Sequence, residues 1–107
     1  MGLGNNMNEH VIEHHIVKYC RDHQILCFKF VSPAHRGVPD RILIGRNGVV
    51  AFLEVKKPGK RPTALQNHVM SQILACGILV RWVDNWAAAK QFIDHEVLPR
   101  TIPTLGS

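Results

Sequence analysis

Two short apolar runs on either side of one tight turn constrain this chain more than anything else in it. The first is Asp40-Arg41-Ile42-Leu43-Ile44, entered from Arg36-Gly37-Val38-Pro39. The second is Val49-Val50-Ala51-Phe52-Leu53, which leads into Glu54-Val55-Lys56-Lys57-Pro58-Gly59. Between them Arg46-Asn47-Gly48 supplies a tight reversal, so the two runs are expected to pair as a β-hairpin. Side chains alternate along a strand, so Glu54 and Lys56 leave one face and Val55 the other. Asp40, Glu54 and Lys56 then converge at one edge of a sheet. Hard carboxylate oxygens suit Mg²⁺, and a lysine beside them can orient a water or steady charge developing on a phosphate. The trio reads as a metal-dependent phosphodiester-cleaving site.

The rest of the chain supplies a frame for that hairpin. From about Asn8 to His23, Val11, Ile12, Ile16, Val17, Tyr19 and Cys20 recur at helical spacing, with Asn8 as N-cap. Ile25 to Val31 reads as a strand, and residues 32–39 as a loop rich in Gly and Pro. After the hairpin, Thr63-Ala64-Leu65-Gln66 matches a capping box and opens a helix to about Ala75, stopped by Gly77. Ile78 to Val83 is a further strand. Trp86 to about Glu96 is a second amphipathic helix, capped by Asp84 or Asn85. From Val97 the two prolines and the terminal Gly-Ser predict a loosely held tail. No repeat or linker divides the 107 residues, which are expected to form one domain with its core at about 8–96.

Composition narrows the class. An apolar fraction of 46% fits a globular chain, no stretch is long enough to span a bilayer, and the first residues lack the pattern of a signal peptide. An intracellular protein with no membrane partner and no small-molecule cofactor is expected. Cys20, Cys27 and Cys76 lack CxxC spacing and lie in apolar segments, which predicts buried free thiols. The net charge of +5 and pI near 9.5 favour a polyanionic partner. Arg36, Arg41, Lys56, Lys57, Lys60 and Arg61 all cluster in or beside the expected site.

With the elements in the order α-β-β-β-α-β-α, the chain resembles the PD-(D/E)xK nucleases, whose restriction-endonuclease-like fold is α/β with an αβββαβ core. Pro39-Asp40 matches the PD, and Glu54-Val55-Lys56 the ExK. The longer strings Arg36-Gly37-Val38-Pro39-Asp40-Arg41 and Phe52 to Gly59, with Pro62-Thr63 and Gln66 after them, resemble the VRR-NUC branch. The resemblance covers about residues 8–93. It implies a mixed central sheet flanked by helices, plus a C-terminal helix in this chain. It also implies that Asp40 and Glu54 bind one or two Mg²⁺ or Mn²⁺ ions, with the Val55 carbonyl as a further ligand. Lys56 would position or help deprotonate the attacking water, or stabilise the pentavalent phosphorus. Gln66 would add a polar contact near Lys56 or the scissile phosphate, beyond its capping work.

The family also carries a glutamate on its first helix, and Glu9 and Glu13 both offer themselves. At about 100° per residue, Glu9 lies about 40° from an apolar stripe centred near Ile12, Ile16 and Tyr19, and Glu13 about 80°. Matching Ile16-Val17-Lys18-Tyr19 to the family's pattern also selects Glu9 as the third carboxylate. His35, Arg36, Arg41, Lys57 and Lys60 are expected to touch phosphates, which position a substrate without reading its sequence. No base-reading helix is apparent, so structure-selective cutting follows.

Two other classes were weighed. His10-Val11-Ile12-Glu13-His14 fits the inverted zinc-peptidase pattern H-x-x-E-H, though without that family's length or helical context. A DNA-binding module without catalysis would have no use for Asp40, Glu54 and Lys56 together. From size and resemblance, the expected protein is a homodimeric Holliday-junction resolvase or a flap-type endonuclease acting on branched DNA. Trp86, Phe92, Ile93, Val97 and Leu98 are candidates for its dimer face.

Overall fold

The hairpin is the centre of the sheet. In the computed structural model, which describes residues 8–101, β2 (Arg41–Gly45) and β3 (Val49–Val55) pair antiparallel with Leu43 opposite Ala51. Asn47 and Gly48 both take the left-handed backbone, at φ of 69° and 73°, as the Asn-Gly turn predicts. β1 (Leu26–Lys29) adds antiparallel to β2, and β4 (Leu79–Val83) adds parallel to β3. The sheet order is β1-β2-β3-β4. A parallel neighbour needs a crossover, and α2 (Ala64–Ala75) provides it. The mixed sheet with flanking helices is the expected architecture.

One face of the sheet carries the core. α1 (Glu9–Asp22) contributes Ile12, Ile16 and Cys20, which meet Leu43, Ala51, Leu53 and Val55 and are fully buried with them. Each such Ile or Leu contributes about 1.5–3 kcal/mol through burial alone. α3 (Trp86–Phe92) closes the same face with Ala89 and Phe92. Asn8 caps α1 and Asn85 caps α3, each through its side-chain oxygen. Thr63 and Gln66 form the full capping box at the start of α2.

Three expectations are corrected. The chain does not loosen after Glu96: a π-turn over Ile93–Val97 and a 3₁₀ turn over Leu98–Arg100 follow α3, and Ile93 and Val97 are fully buried. Beyond them Thr101 lies against Gly45. The proposed dimer face is therefore mostly core. Phe92, Ile93 and Val97 face inward, while Trp86 and Leu98 pack partly buried against them. Cys76, finally, is exposed, because it caps the C-terminus of α2 in a surface turn; Cys20 is buried and Cys27 half-buried, and all three are free thiols.

Candidate active site

Asp40 sits one residue before β2, held there by the loop that precedes it. Gly37 lies at φ +88°, and a Cβ at that position would come within 2.9 Å of Leu65 on α2. Only glycine turns the chain there without strain while letting loop and helix touch. Pro39 is fully buried, and the Asp40 carbonyl accepts the Phe30 N–H at 2.8 Å. The Asp40 carboxylate points to α1. Carboxylate oxygens of Glu9, Glu13 and Asp40 lie within 4.8 Å of one another. Oδ1 of Asp40 is buried with no hydrogen-bond partner. An orphaned carboxylate oxygen among further carboxylates is the environment a hard cation satisfies.

Glu54 and Lys56 arrive from β3 as the alternation requires. Val55 points into the core, Glu54 is 6% exposed, and Lys56 Nζ lies 3.7 Å from Glu54 Oε2. The Lys56 backbone is pinned as well, its N–H donating to the Val83 carbonyl at 2.8 Å. Gln66 completes the group by dividing its amide. Its Oε1 accepts from the Thr63 N–H at 2.9 Å, and its Nε2 donates to Glu54 Oε2 at 3.3 Å. The capping role and the site role belong to one side chain.

Electrostatics bind these carboxylates into one unit. Burial, and after it the negative charge of Glu13, pushes the Asp40 carboxyl above its ordinary range, with Lys29 opposing. Burial and then the charge of Asp40 push Glu54 up to about 7, against the pull of Lys56 and the Asp40 backbone N–H. Like charges brought together out of water hold on to protons unless a cation replaces them.

Both first-helix glutamates reach the site. Glu13 is the more buried, at 7% exposed, and Glu9 is half-buried. The stripe expected through Tyr19 runs through Cys20 instead, which turns the inward face of α1 toward both glutamates. Tyr19 leans away, donating to Asp94 on the π-turn. Glu9 opens the helix at the rim, whereas Glu13 lies a turn deeper. Arg41 is the main departure among the expected phosphate contacts. Its side chain is 14% exposed and donates to Glu13 Oε1 at 2.8 Å, so it serves Glu13 and faces away from solvent. Lys29, which the sequence reading passed over, lies 3.7 Å from the same oxygen. Its signal was its register: Lys29 pairs with Arg41, so both project to the α1 face.

The remaining expected contacts are on the surface. Glu9, Lys56, Lys57, Lys60 and Arg61 line an open cleft of about 320 Å³ beside the carboxylates, with Arg61 also lying 6.0 Å from the centre of the Trp82 ring. His35 and Arg36 are exposed in the loop before Asp40. The zinc-peptidase pattern does not assemble. His10 and His14 are exposed, and among the described residues the acidic cluster includes no histidine. No helix among the described residues is long and apolar enough to cross a membrane.

The chain's similarities to known proteins can be set beside this geometry. No family model matches it. A phage protein named "Putative nuclease p44", from Acyrthosiphon pisum secondary endosymbiont phage 1, is 39% identical over 79 residues, which are 74% of this chain and 85% of that protein. A solved structure named "VRR_NUC domain" superposes with a TM-score of 0.76 at 22% identity, over 82% of this chain and 96% of that one. Another, named "VRR_NUC domain protein", gives 0.67 at 14% identity, over 90% of this chain and 93% of that one. At these identities the two structures establish a shared fold.

Proposed function

This chain belongs to the VRR-NUC family of PD-(D/E)xK nucleases, and we propose that it cuts branched DNA as a divalent-metal-dependent endonuclease acting in pairs. The observation that carries the proposal is the buried, unpartnered Asp40 Oδ1 among the carboxylates of Glu9 and Glu13. Such a group costs stability as it stands, and its donor chemistry is that of a Mg²⁺ or Mn²⁺ site. Glu9, Asp40 and Glu54 are the residues that would hold one or two ions, with the Val55 carbonyl as a further donor. A bound cation would neutralise the phosphoryl oxygens and acidify the attacking water. Charge counting agrees. Glu9, Glu13, Asp40 and Glu54 face Lys29, Arg41 and Lys56, which leaves one negative charge when all are ionised. A phosphodiester adds another, and one divalent cation closes the balance.

The chain's own residues do the rest. Lys56, fixed at its backbone and 3.7 Å from Glu54, positions the water or steadies charge on the phosphoryl oxygen. Gln66 holds the Glu54 carboxylate in place. Arg41 and Lys29 hold Glu13, which keeps the buried end of the acidic group from forcing Asp40 outward. Lys57 and Lys60 in the cleft, with His35 and Arg36 on the loop, offer phosphate contacts that fix the backbone of a substrate and leave its bases unread. A site that reads no bases in a chain this small must take its selectivity from substrate shape, which favours a four-way junction engaged by two copies. Labelled junctions, flaps, nicked and linear duplexes, each with Mg²⁺ and with chelator, test this. Junction cutting in Mg²⁺ alone is the expected result. Preference for flaps would redirect the substrate, and equal cutting of linear duplex would overturn the structural selectivity.

A further inference from the structure

The sheet has a second apolar face, and among the described elements no helix covers it over β1, β2 and β3. Leu26, Phe28, Ile42, Ile44, Val50 and Phe52 alternate with the core residues and so share the face opposite α1 and α3. Leu26 is 55% exposed and Phe28 51%, and the other four are half-buried. An antiparallel sheet with one solvated face ordinarily places polar residues there. This one does the reverse. The charged side chains of the strands, Lys29, Arg41 and Arg81, lie on the helix-covered face, where Glu13 and Glu96 pair with them.

We propose that a second copy of this chain docks on that face, sheet against sheet, giving the paired nuclease its interface; the inference rests on the reading of the protein as acting in pairs. Nucleic acid is the wrong occupant, because the patch offers no cation and no hydrogen-bonding side chain. The chain's own ends are poor candidates. Residues 1–7 and 102–107 contain few apolar residues, and they join the structure at α1 and beside Gly45, both on the opposite side. A twofold contact brings the same patch against itself, and an uncharged patch is self-complementary. It is also the ground on which two molecules of net charge +5 can meet with least repulsion. An apolar patch spread over three strands exceeds scattered surface hydrophobicity and suits the core of an interface burying about 800 Å² per partner. Packed sheets lie about 10 Å apart, which leaves room for the two layers of side chains to interdigitate. Glu54 follows Phe52 on the same side of β3, so each active site borders the interface.

Sedimentation of the full chain without DNA tests this. Wild type should be a dimer, and Phe28→Glu should weaken association by about 100-fold or more, as losing a buried aromatic anchor from both copies does. Leu26→Lys should act in the same direction and keeps the test decisive if Phe28→Glu fails to fold. Dimers unchanged by a folded variant would overturn this surface while leaving paired action intact. A monomeric wild type would overturn both, and Mg²⁺-dependent cleavage measured beside it reports on the nuclease reading separately.

Discussion

Gln66 shows how much one side chain carries here. It caps α2 with one end of its amide and holds Glu54 with the other. Two variants separate these tasks. Thr63→Ala removes a capping hydroxyl and should cost about 1 kcal/mol in thermal unfolding with little effect on cleavage. Gln66→Ala should cost a similar amount and slow cleavage as well, because Glu54 loses its donor. Glu54 itself makes the metal-free protein pH-sensitive. Its carboxyl is raised from 4.5 to about 7 in the folded state, so the folded chain keeps a proton that the unfolded chain has lost. The stability this gives is fully present below about pH 4.5 and is lost as pH rises through 7, a change of about 3 kcal/mol. Asp40 shifts in the same direction. Unfolding in chelator should therefore be harder at pH 5 than at pH 8, and Glu54→Gln should flatten the difference. Added Mg²⁺ should stabilise the protein at pH 8 and scarcely at pH 5, where protons occupy the carboxylates.

At the scale of the elements, the turn at Gly37 and the C-terminal turns decide how the site is held. Gly37→Ala forces a Cβ against Leu65 in a left-handed backbone, which should cost about 1–2 kcal/mol for the conformation alone. Ile93→Ala should cost about 2–5 kcal/mol, since it hollows the core under the π-turn. Equilibrium denaturation measures both. The hairpin, the capping box and the carboxylate-lysine trio were legible in the sequence, because each rests on local rules: the Asn-Gly turn, the Thr63–Gln66 spacing and strand alternation. What depended on tertiary packing was not. Val97 and Leu98 looked like the start of a loose tail because Pro99 ends regular helix, yet turns that are not α-helical dock them. Arg41 read as a phosphate contact because it is basic and next to Asp40; only the position of Glu13 on α1 turns it inward. The inward rotation of α1, set by Cys20 rather than Tyr19, likewise required the sheet to be seen.

For the whole molecule, the architecture divides the labour between the two sides of one sheet. The helix-covered side supplies the core and, through α1, the Glu9 and Glu13 carboxylates. The open side leads to Glu54 and, by the inference above, to a second copy. Catalysis and pairing are thus separable, and Asp40→Asn should leave the oligomeric state unchanged. The most direct test of the central claim is the initial rate of four-way junction cleavage in Mg²⁺ by wild type and by Asp40→Asn, with binding measured in parallel. Cutting by wild type, its abolition by chelator, and a fall of about 10³-fold or more in Asp40→Asn with junction binding retained are the predicted results. Cleavage that survives both the chelator and Asp40→Asn would contradict the account.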